Sequence, residues 1–419
     1  MILDDLAQVV YAPAKAFKRI IESPKYLGVI LVLVLFVGLI VGFEFVQFSK
    51  IYIENTSPEV GNLQSYVNST IWTNSSNVAL SDSFSDPFNY SIFVAALGGN
   101  YSLFGNSSLE MDALNTNTIT AALDNVFNVD CNSPSGFQNL SMTIKQVAPS
   151  VSPKSATLTL YSLSNTDFYS YDLTSSLSNT AQIGTWNNLT IPLGSQASGW
   201  TSTGSPSWGN VTALQLSLTY PANSNITLRI GALFFRGQYQ TPVQSGSLGL
   251  IEQFLPTWAF WFILAWFILT ATIYLIFYAL KTTRVWKPIF VATGFALVVM
   301  VIRAAVNLVA AATLPTLYYP YDVTLGVRFN FFGATTYSGM ISSLTTQSQA
   351  ILNSINAATA GFENVLLVMF VISYVWLVAL STIVVGTLKP EFSSSKRITI
   401  SLLSVGVMVF LLLLLVGYI

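Results

Sequence analysis

Five runs of apolar residues decide what this chain can become: Leu27 to Phe48, Leu255 to Leu280, Ile289 to Leu314, Val365 to Leu388 and Ile398 to Tyr418. Each has the length to cross a hydrocarbon core, which takes about 20 helical residues. Five such stripes cannot all be buried in one water-soluble globule. Charge is correspondingly sparse, at 8% of residues against roughly a quarter in soluble domains. The sequence therefore predicts a membrane bundle of five transmembrane helices, over 27-48, 255-280, 289-314, 365-388 and 398-418.

The basic residues give these spans a direction. Lys15, Lys18, Arg19 and Lys25 precede the first run; Lys281, Arg284 and Lys287 separate the second from the third; Lys389, Lys396 and Arg397 separate the fourth from the fifth. Cytoplasmic loops collect Lys and Arg, and all three clusters share one side if the N-terminus is cytoplasmic. The C-terminus then lies outside. The first run is longer than the apolar region of a signal peptide and ends in Phe43-Glu44-Phe45-Val46-Gln47-Phe48, a poor cleavage context, so it reads as a retained anchor.

Between spans one and two, across 49-249, the pattern changes to alternation. Leu140, Met142 and Ile144, then Leu158 and Leu160, then Leu189, Ile191 and Leu193, then Leu214, Leu216 and Leu218, then Ile226, Leu228 and Ile230 alternate with polar neighbours. That period belongs to strands with one buried face. Five such strands separated by Gly, Pro, Asn and Ser predict an all-β extracellular sandwich. Ten N-x-[ST] sequons, at Asn55, Asn68, Asn74, Asn89, Asn100, Asn106, Asn139, Asn188, Asn210 and Asn225, all fall in this segment. A stretch rich in Asn, Ser and Thr makes such triplets by chance, but their confinement to the side placed outside agrees with the basic loops. N-linked glycans on these residues would mark an archaeal or eukaryotic surface protein.

The segments Trp186-Asn187-Asn188-Leu189-Thr190-Ile191-Pro192-Leu193, Pro206-Ser207-Trp208-Gly209-Asn210-Val211-Thr212 and Leu233-Phe234-Phe235-Arg236-Gly237 resemble, in this order, the second half of a carbohydrate-binding-module or galactose-binding-like jelly roll. The resemblance places a jelly-roll core at about 84-238 and implies glycan recognition, with Trp200 and Trp208 as candidate ligand-binding rings. Tryptophans just before a strand also pack in the core or seal its end, which is the competing reading for Trp186 and Trp208; Trp200 sits in a Gly- and Ser-rich loop. No cofactor is expected. A structural calcium, common in such folds, would have Asp124, Asp130 and Asp172 as ligands, although no clustered Asp motif singles them out.

The N-terminal segment 1-26 reads as a cytoplasmic amphipathic helix, with Leu6, Val9, Val10, Phe17, Ile20 and Ile21 opposite Lys15, Lys18 and Arg19. Pro13, Phe17, Ile20, Ile21 and Pro24 directly before a span, together with the order of spans, resemble prokaryotic Yip1-domain proteins. Segment 315-362 reads as an extracellular loop, with an aromatic part at Tyr318, Tyr319, Tyr321, Phe329, Phe331 and Phe332. An amphipathic helix from Gly339 to Ala360 follows, marked by Met340, Leu344, Ile351, Ile355 and Ala358. The intramembrane polar residues are Glu44, Arg303, Asn307 and Glu363. A charge at mid-membrane is costly, so Arg303 is expected to face protein or water, either paired with Glu44 or Glu363 or as part of a polar site for a solute.

Composition excludes several chemistries. The sequence has no His and one Cys, Cys131. A zinc site of His and Cys, a histidine-based triad and an intrachain disulfide are thereby ruled out. The 17 basic and 18 acidic residues give no polycationic surface for nucleic acid. Three non-enzymatic readings come first, namely a cell-surface protein that recognises envelope glycans or neighbouring surface proteins, a transporter or channel subunit, and an accessory subunit of a larger membrane complex; an enzyme built on paired carboxylates comes last, since no pair has a recognisable motif.

Overall fold

The structure is a computed structural model that describes residues 2–416 apart from 75–76, 89–90, 95–98, 103, 125–127, 133, 163, 283–284, 322–326, 331–332 and 337–345. Arg284, Asn89, Phe331, Phe332, Gly339, Met340, Leu344 and Tyr418 lie outside the described residues. The chain forms two compact units, one of helices and one built on strands.

The N-terminal amphipathic segment is two helices, α1 (Ile2–Tyr11) and α2 (Pro13–Glu22), broken at Ala12. Pro13 opens α2, where its missing N–H would have had no helical acceptor anyway. Leu6, Val9, Phe17 and Ile20 are buried, while Arg19 Nη2 reaches Asp5 at 2.5 Å and Asp4 at 3.4 Å. Five candidate membrane spans follow: α3 (Tyr26–Ser49), α4 (Pro242–Ala279), the pair α5 (Trp286–Ala296) and α6 (Val298–Ala312), α7 (Thr346–Leu388) and α8 (Ser394–Val416). Their large apolar side chains, among them Leu27, Val34, Phe260, Leu275, Leu367, Val375 and Leu402, are exposed. Hydrocarbon is the solvent such surfaces suit.

Three boundaries differ from the sequence reading. Helix α4 begins at Pro242, ahead of the expected Leu255, with a short turn that the reciprocal capping box of Thr241 and Gln244 starts and a break at Gly246 separates from the rest. The third span bends at Leu297, whose ψ of 1° leaves the helical region and separates α5 from α6. The separate amphipathic helix expected before span four is, over its described part from Thr346, the first turns of α7 itself. Nothing in Thr346–Leu388 stops a helix, since the stretch has no proline.

In the strand-built unit, 11 strands join one branched hydrogen-bonded network among the described residues. Two of them organise it. Strand β6 (Ser108–Leu123) runs antiparallel along β12 (Val211–Gln240), from Leu214 opposite Leu123 to Ile230 opposite Leu109. Both bend midway, at Asn115 (φ 49°) and across Pro221–Asn225, where the register shifts. Asn tolerates the left-handed backbone at Asn115, and the Asn115 N–H donates to Asn225 Oδ1 at 3.1 Å. Each strand thus serves two sheets. The first sheet runs β2 (Trp72–Asn74), the latter part of β6, the early part of β12, then β8 (Ser155–Ser162), β9 (Ser164–Asp172) and β11 (Trp200–Thr203). The second runs β3 (Val78–Ser83), early β6, late β12, β7 (Asn139–Ala148) and β10 (Asn187–Pro192). Strand β1 (Ile51–Ser57) pairs with the end of β12. The strands therefore begin well before the expected core at 84.

Alternate residues of both sheets face one hydrophobic core: Ile119, Leu123, Leu158, Leu160, Leu214 and Leu216 from the first, Met111, Leu140, Met142, Ile191, Leu228 and Ile230 from the second. All five expected alternating runs are strand in the expected phase, but the runs at 214–218 and 226–230 are two parts of one strand, β12. Cys131 is fully buried among these side chains, and burial pushes its thiol far up, as befits a small apolar filler rather than a nucleophile.

Candidate functional site

The two sheets differ in what covers them. The outward face of the second is closed. Arg229 Nε donates to Glu110 at 2.5 Å and its Nη1 to Asp86 at 2.8 Å; Lys145 Nζ reaches Asp86 at 2.7 Å. Rings of Phe88, Trp186, Phe104 and Phe234 lie over this face. Gly231 makes the fit possible, since a Cβ there would overlap Phe88. Buried Glu54 accepts from Arg236 Nε and the Gly237 N–H at 2.9 Å each and from the Tyr321 N–H at 3.0 Å, so the segment at Tyr321 is fixed to the same sheet. Tyr321 also packs on Phe234 and under the Arg236 guanidinium.

The outward face of the first sheet has no such cover among the described residues. Its side chains lie in rows across the strands: Thr73, Ala122, Gln215, Thr159, Ser170 and Thr201 in one, Thr120, Ser217, Thr157 and Asp172 in the next. At one end of these rows Tyr161 stands opposite Phe168, ring centroids 5.6 Å apart and edge to face. The Tyr161 hydroxyl donates to Gln215 Oε1 at 2.5 Å, and Thr120 and Ser217 share a hydrogen bond of 3.0 Å. Partial burial, then the nearby Asp124, pushes the Tyr161 hydroxyl above its ordinary range, so it stays a neutral donor. Neither row contains Lys or Arg. At the corner, Asp172 is held below the usual carboxylate range by the hydroxyl and N–H of Thr174. The face is therefore hydroxyl-rich, almost uncharged, and carries two partly exposed rings.

The two tryptophans singled out in the sequence lie elsewhere. Trp208 is 7% exposed and stacks on Tyr169 with centroids 3.9 Å apart, so its ring is core and not a recognition surface. Trp200 is opposite Tyr171 in the inward phase of the first sheet. Its ring packs on Tyr171 and Trp208, and its Nε1 donates to Pro192 O of the second sheet at 2.7 Å. That bond closes the sandwich edge and leaves Trp200 half-buried. Trp186 packs against Phe88. The calcium candidates are tied locally: Asp124 accepts from Thr73 Oγ1, Asp130 from the Asn132 N–H and Asp172 from the Thr174 N–H. Among the described residues no three carboxylate or thiol groups gather as a metal site.

The sequons divide by exposure. Asn68, Asn74, Asn106, Asn188 and Asn225 are exposed; Asn55, Asn139 and Asn210 are half-buried, and Asn210 Oδ1 is buried with no partner among the described residues. The side chain of Asn100, on β5 (Gly99–Ser102), is not described. None of the exposed five is in the outward rows of the first sheet.

In the helical unit Glu44 is buried beside the Trp258 indole. Arg303 lies over the Phe370 ring, 5.0 Å from its centre, with the Tyr374 phenol beside it. The expected partnership with Glu44 or Glu363 is not formed: no described carboxylate is within ion-pair distance of Arg303. Glu363 is exposed on α7 and accepts from Thr359 Oγ1 at 3.3 Å. An aromatic face and a phenol take the place of a counter-ion, a pairing that residue spacing alone does not reveal.

These features define a multi-pass membrane protein that carries an antiparallel β-sandwich. The chain is similar to a family 11 carbohydrate-binding module from Clostridium thermocellum in complex with a β-1,3-1,4-mixed-linked tetrasaccharide, at 11% identity and a TM-score of 0.26, covering 44% of this chain and 95% of that one. It is also similar to carbohydrate-binding modules of the β-sandwich superfamily (10%, TM-score 0.27, 41% and 57% covered) and to an exo-β-agarase (12%, TM-score 0.28, 43% and 24% covered). No protein-family model matches the chain, and no curated protein does. The likeness of its N-terminal segment to Yip1-domain proteins accordingly stays a resemblance.

Tyr161, Phe168 and Gln215 were not singled out by the sequence. A signal for the two rings exists: Tyr161 in β8 and Phe168 in β9 occupy the polar phase of the alternation, where an aromatic ring gains nothing from the core, and Gln215 holds the same phase in β12.

Proposed function

We propose that this is a non-enzymatic cell-surface protein whose sandwich recognises a neutral, hydroxyl-rich glycan of the cell envelope through the outward face of its first sheet, while the five spans hold it in the bilayer. The observation that carries this reading is the Tyr161–Phe168 ring pair set among Thr, Ser and Gln side chains on a face without Lys or Arg. A sugar ring offers apolar C–H faces and polar edges, and such a surface answers both, with rings to stack on and paired donors and acceptors at the sides. The absence of sequons from these rows supports it, because attached glycans would then leave the face open. In this reading the N-terminus is cytoplasmic, the sandwich lies outside and the exposed sequons are glycosylated.

The test is the full-length chain in lipid nanodiscs on an array of neutral and charged glycans. Binding is expected to neutral glycans, weakened about tenfold by Tyr161→Ala or Phe168→Ala, the scale of one lost stacking contact. Binding to charged polysaccharides alone, or neutral binding that ignores both substitutions, would sink the reading.

One observation favours a second reading, a solute site within the bundle. Asn307 is 4% exposed and its Oδ1 has no partner among the described residues, one helical turn from Arg303. Under that reading Arg303→Ala abolishes flux of a solute across reconstituted vesicles while the bundle stays assembled; vesicles that conduct no solute exclude it.

A further inference from the structure

A cavity of about 260 Å³ opens where α2 hands over to α3, lined by Asp5, Arg19, Ile20, Glu22, Ser23, Lys25 and Phe295. The local sequence builds it. Pro24 cannot continue a helix, so α2 stops at Glu22 and the Ser23 N–H turns back onto Arg19 O at 3.0 Å. Helix α3 then starts at Tyr26, leaving Glu22, Ser23 and Lys25 around the gap. Gly28 sets the floor: a Cβ there would overlap the Phe295 ring, so only glycine lets that ring lie under the opening.

The lining charges are two acids and two bases. Asp5 is already committed to Arg19, and every hydrogen bond Arg19 makes from its side chain among the described residues leaves through Nη2, to Asp4, Asp5 and Gln8. Its Nε and Nη1 remain available. Glu22 and Lys25 are exposed and form no ion pair among the described residues. The cavity thus presents unspent cationic donors and an unspent carboxylate with no net charge. Its level is that of an interfacial belt: Tyr26, Trp286 and Phe290 cluster by their rings, with Lys287 over Tyr26 at 5.4 Å.

We infer that this cavity binds the phosphoethanolamine head group of a membrane lipid. Arg19 and Lys25 supply charge-assisted donors for the phosphate. Glu22 accepts N–H bonds from the primary ammonium. A choline group has no N–H to give and is recognised by cages of aromatic rings, whereas this lining has the single ring of Phe295. A purely anionic head group would leave Glu22 facing a like charge. The acyl chains would run along the exposed start of α3, at Leu27 and Ile30.

The experiment is native mass spectrometry of the full-length chain from nanodiscs containing equal parts phosphatidylethanolamine, phosphatidylcholine and phosphatidylglycerol. One phosphatidylethanolamine is expected to stay per chain. Glu22→Lys and Lys25→Glu should each lower its retention about tenfold, as expected for losing one charge-assisted contact, and the double exchange should restore part of it. Both side chains are exposed, so these variants keep the bundle intact, and an unchanged thermal melt checks that. Soluble phosphoethanolamine should compete only at far higher concentration, since it lacks the acyl contacts; competition at equal concentration would assign the site to a free metabolite and overturn the lipid. Equal retention of the three lipids, preference for phosphatidylglycerol, or indifference to both single substitutions would also overturn it.

Discussion

Two kinds of aromatic residue sit within a few strands of each other in the sandwich, and they should answer differently to removal. Trp208 is core, stacked on Tyr169, and Trp208→Ala should cost about 3–5 kcal/mol of sandwich stability, the usual range for a large buried ring. Trp200→Ala should lower the melting temperature as well, because it removes the bond to Pro192 O that closes the edge. Tyr161→Ala and Phe168→Ala should leave the melt within about 1 kcal/mol and act on glycan binding instead. Differential scanning calorimetry of the four variants beside array binding checks this split; a Trp200 variant that melts like the parent and loses binding would reverse the assignment. At this scale the sequence was informative about phase and poor about place. Leu158 and Leu160 point inward as their alternation demands. Trp200 occupies an inward position too, but a Gly- and Ser-rich surrounding makes that invisible without knowing that its strand pairs with β9.

At the scale of elements the long strands β6 and β12 matter most, since each bends from one sheet into the other. Alternation predicted two separate strands at 214–218 and 226–230. It could not predict that they are one strand, because the bend at Pro221–Asn225 looks like any turn in the sequence. On the second sheet this continuity brings Arg229 beside Glu110 and Asp86. The Asp86 carboxyl is held below its ordinary range mainly by the hydrogen bond from Lys145, with Arg229 adding to it against some desolvation. A lowered carboxylate stabilises the fold fully above the unfolded value of about 4 and loses that contribution as pH falls through the lower folded value. The melting temperature is therefore expected to drop below pH 4 by less in Asp86→Asn than in the parent. An identical acid limb in the two proteins would contradict the pairing. Glu54 is a sharper case: Glu54→Gln leaves Arg236 beside a neutral, poorly matched amide and should cost about 3 kcal/mol, the penalty of breaking a buried pair from one side. A loss near zero on denaturant unfolding would show that Arg236 finds another partner.

For the whole molecule, the apolar runs made all five spans legible because a hydrocarbon solvent leaves a chain few options. Their ends were less legible, since the capping box of Thr241 with Gln244 adds a helical turn ahead of the apolar run, before the break at Gly246. The sequons give a test at this scale. Glycopeptide mapping should find sugar at Asn68, Asn74, Asn106, Asn188 and Asn225 and none at Asn210, whose amide oxygen is buried. Occupancy at Asn210, or an unmodified chain from a glycosylating host, would contradict the arrangement.

The pairing of β1 with the end of β12 has a consequence for how such a protein could be rebuilt. Ile53 stands opposite Gln240 and Glu54 opposite Tyr239, so the chain comes into the sandwich and leaves it through hydrogen-bonded neighbours about 5 Å apart. A domain with adjoining ends is a cassette. Here the insert between those ends is not self-contained, because Glu54 also holds the segment at Tyr321, which returns to the same unit from further along the chain. A graft of another fold at these two ends must therefore also replace the tie from Glu54 to Tyr321.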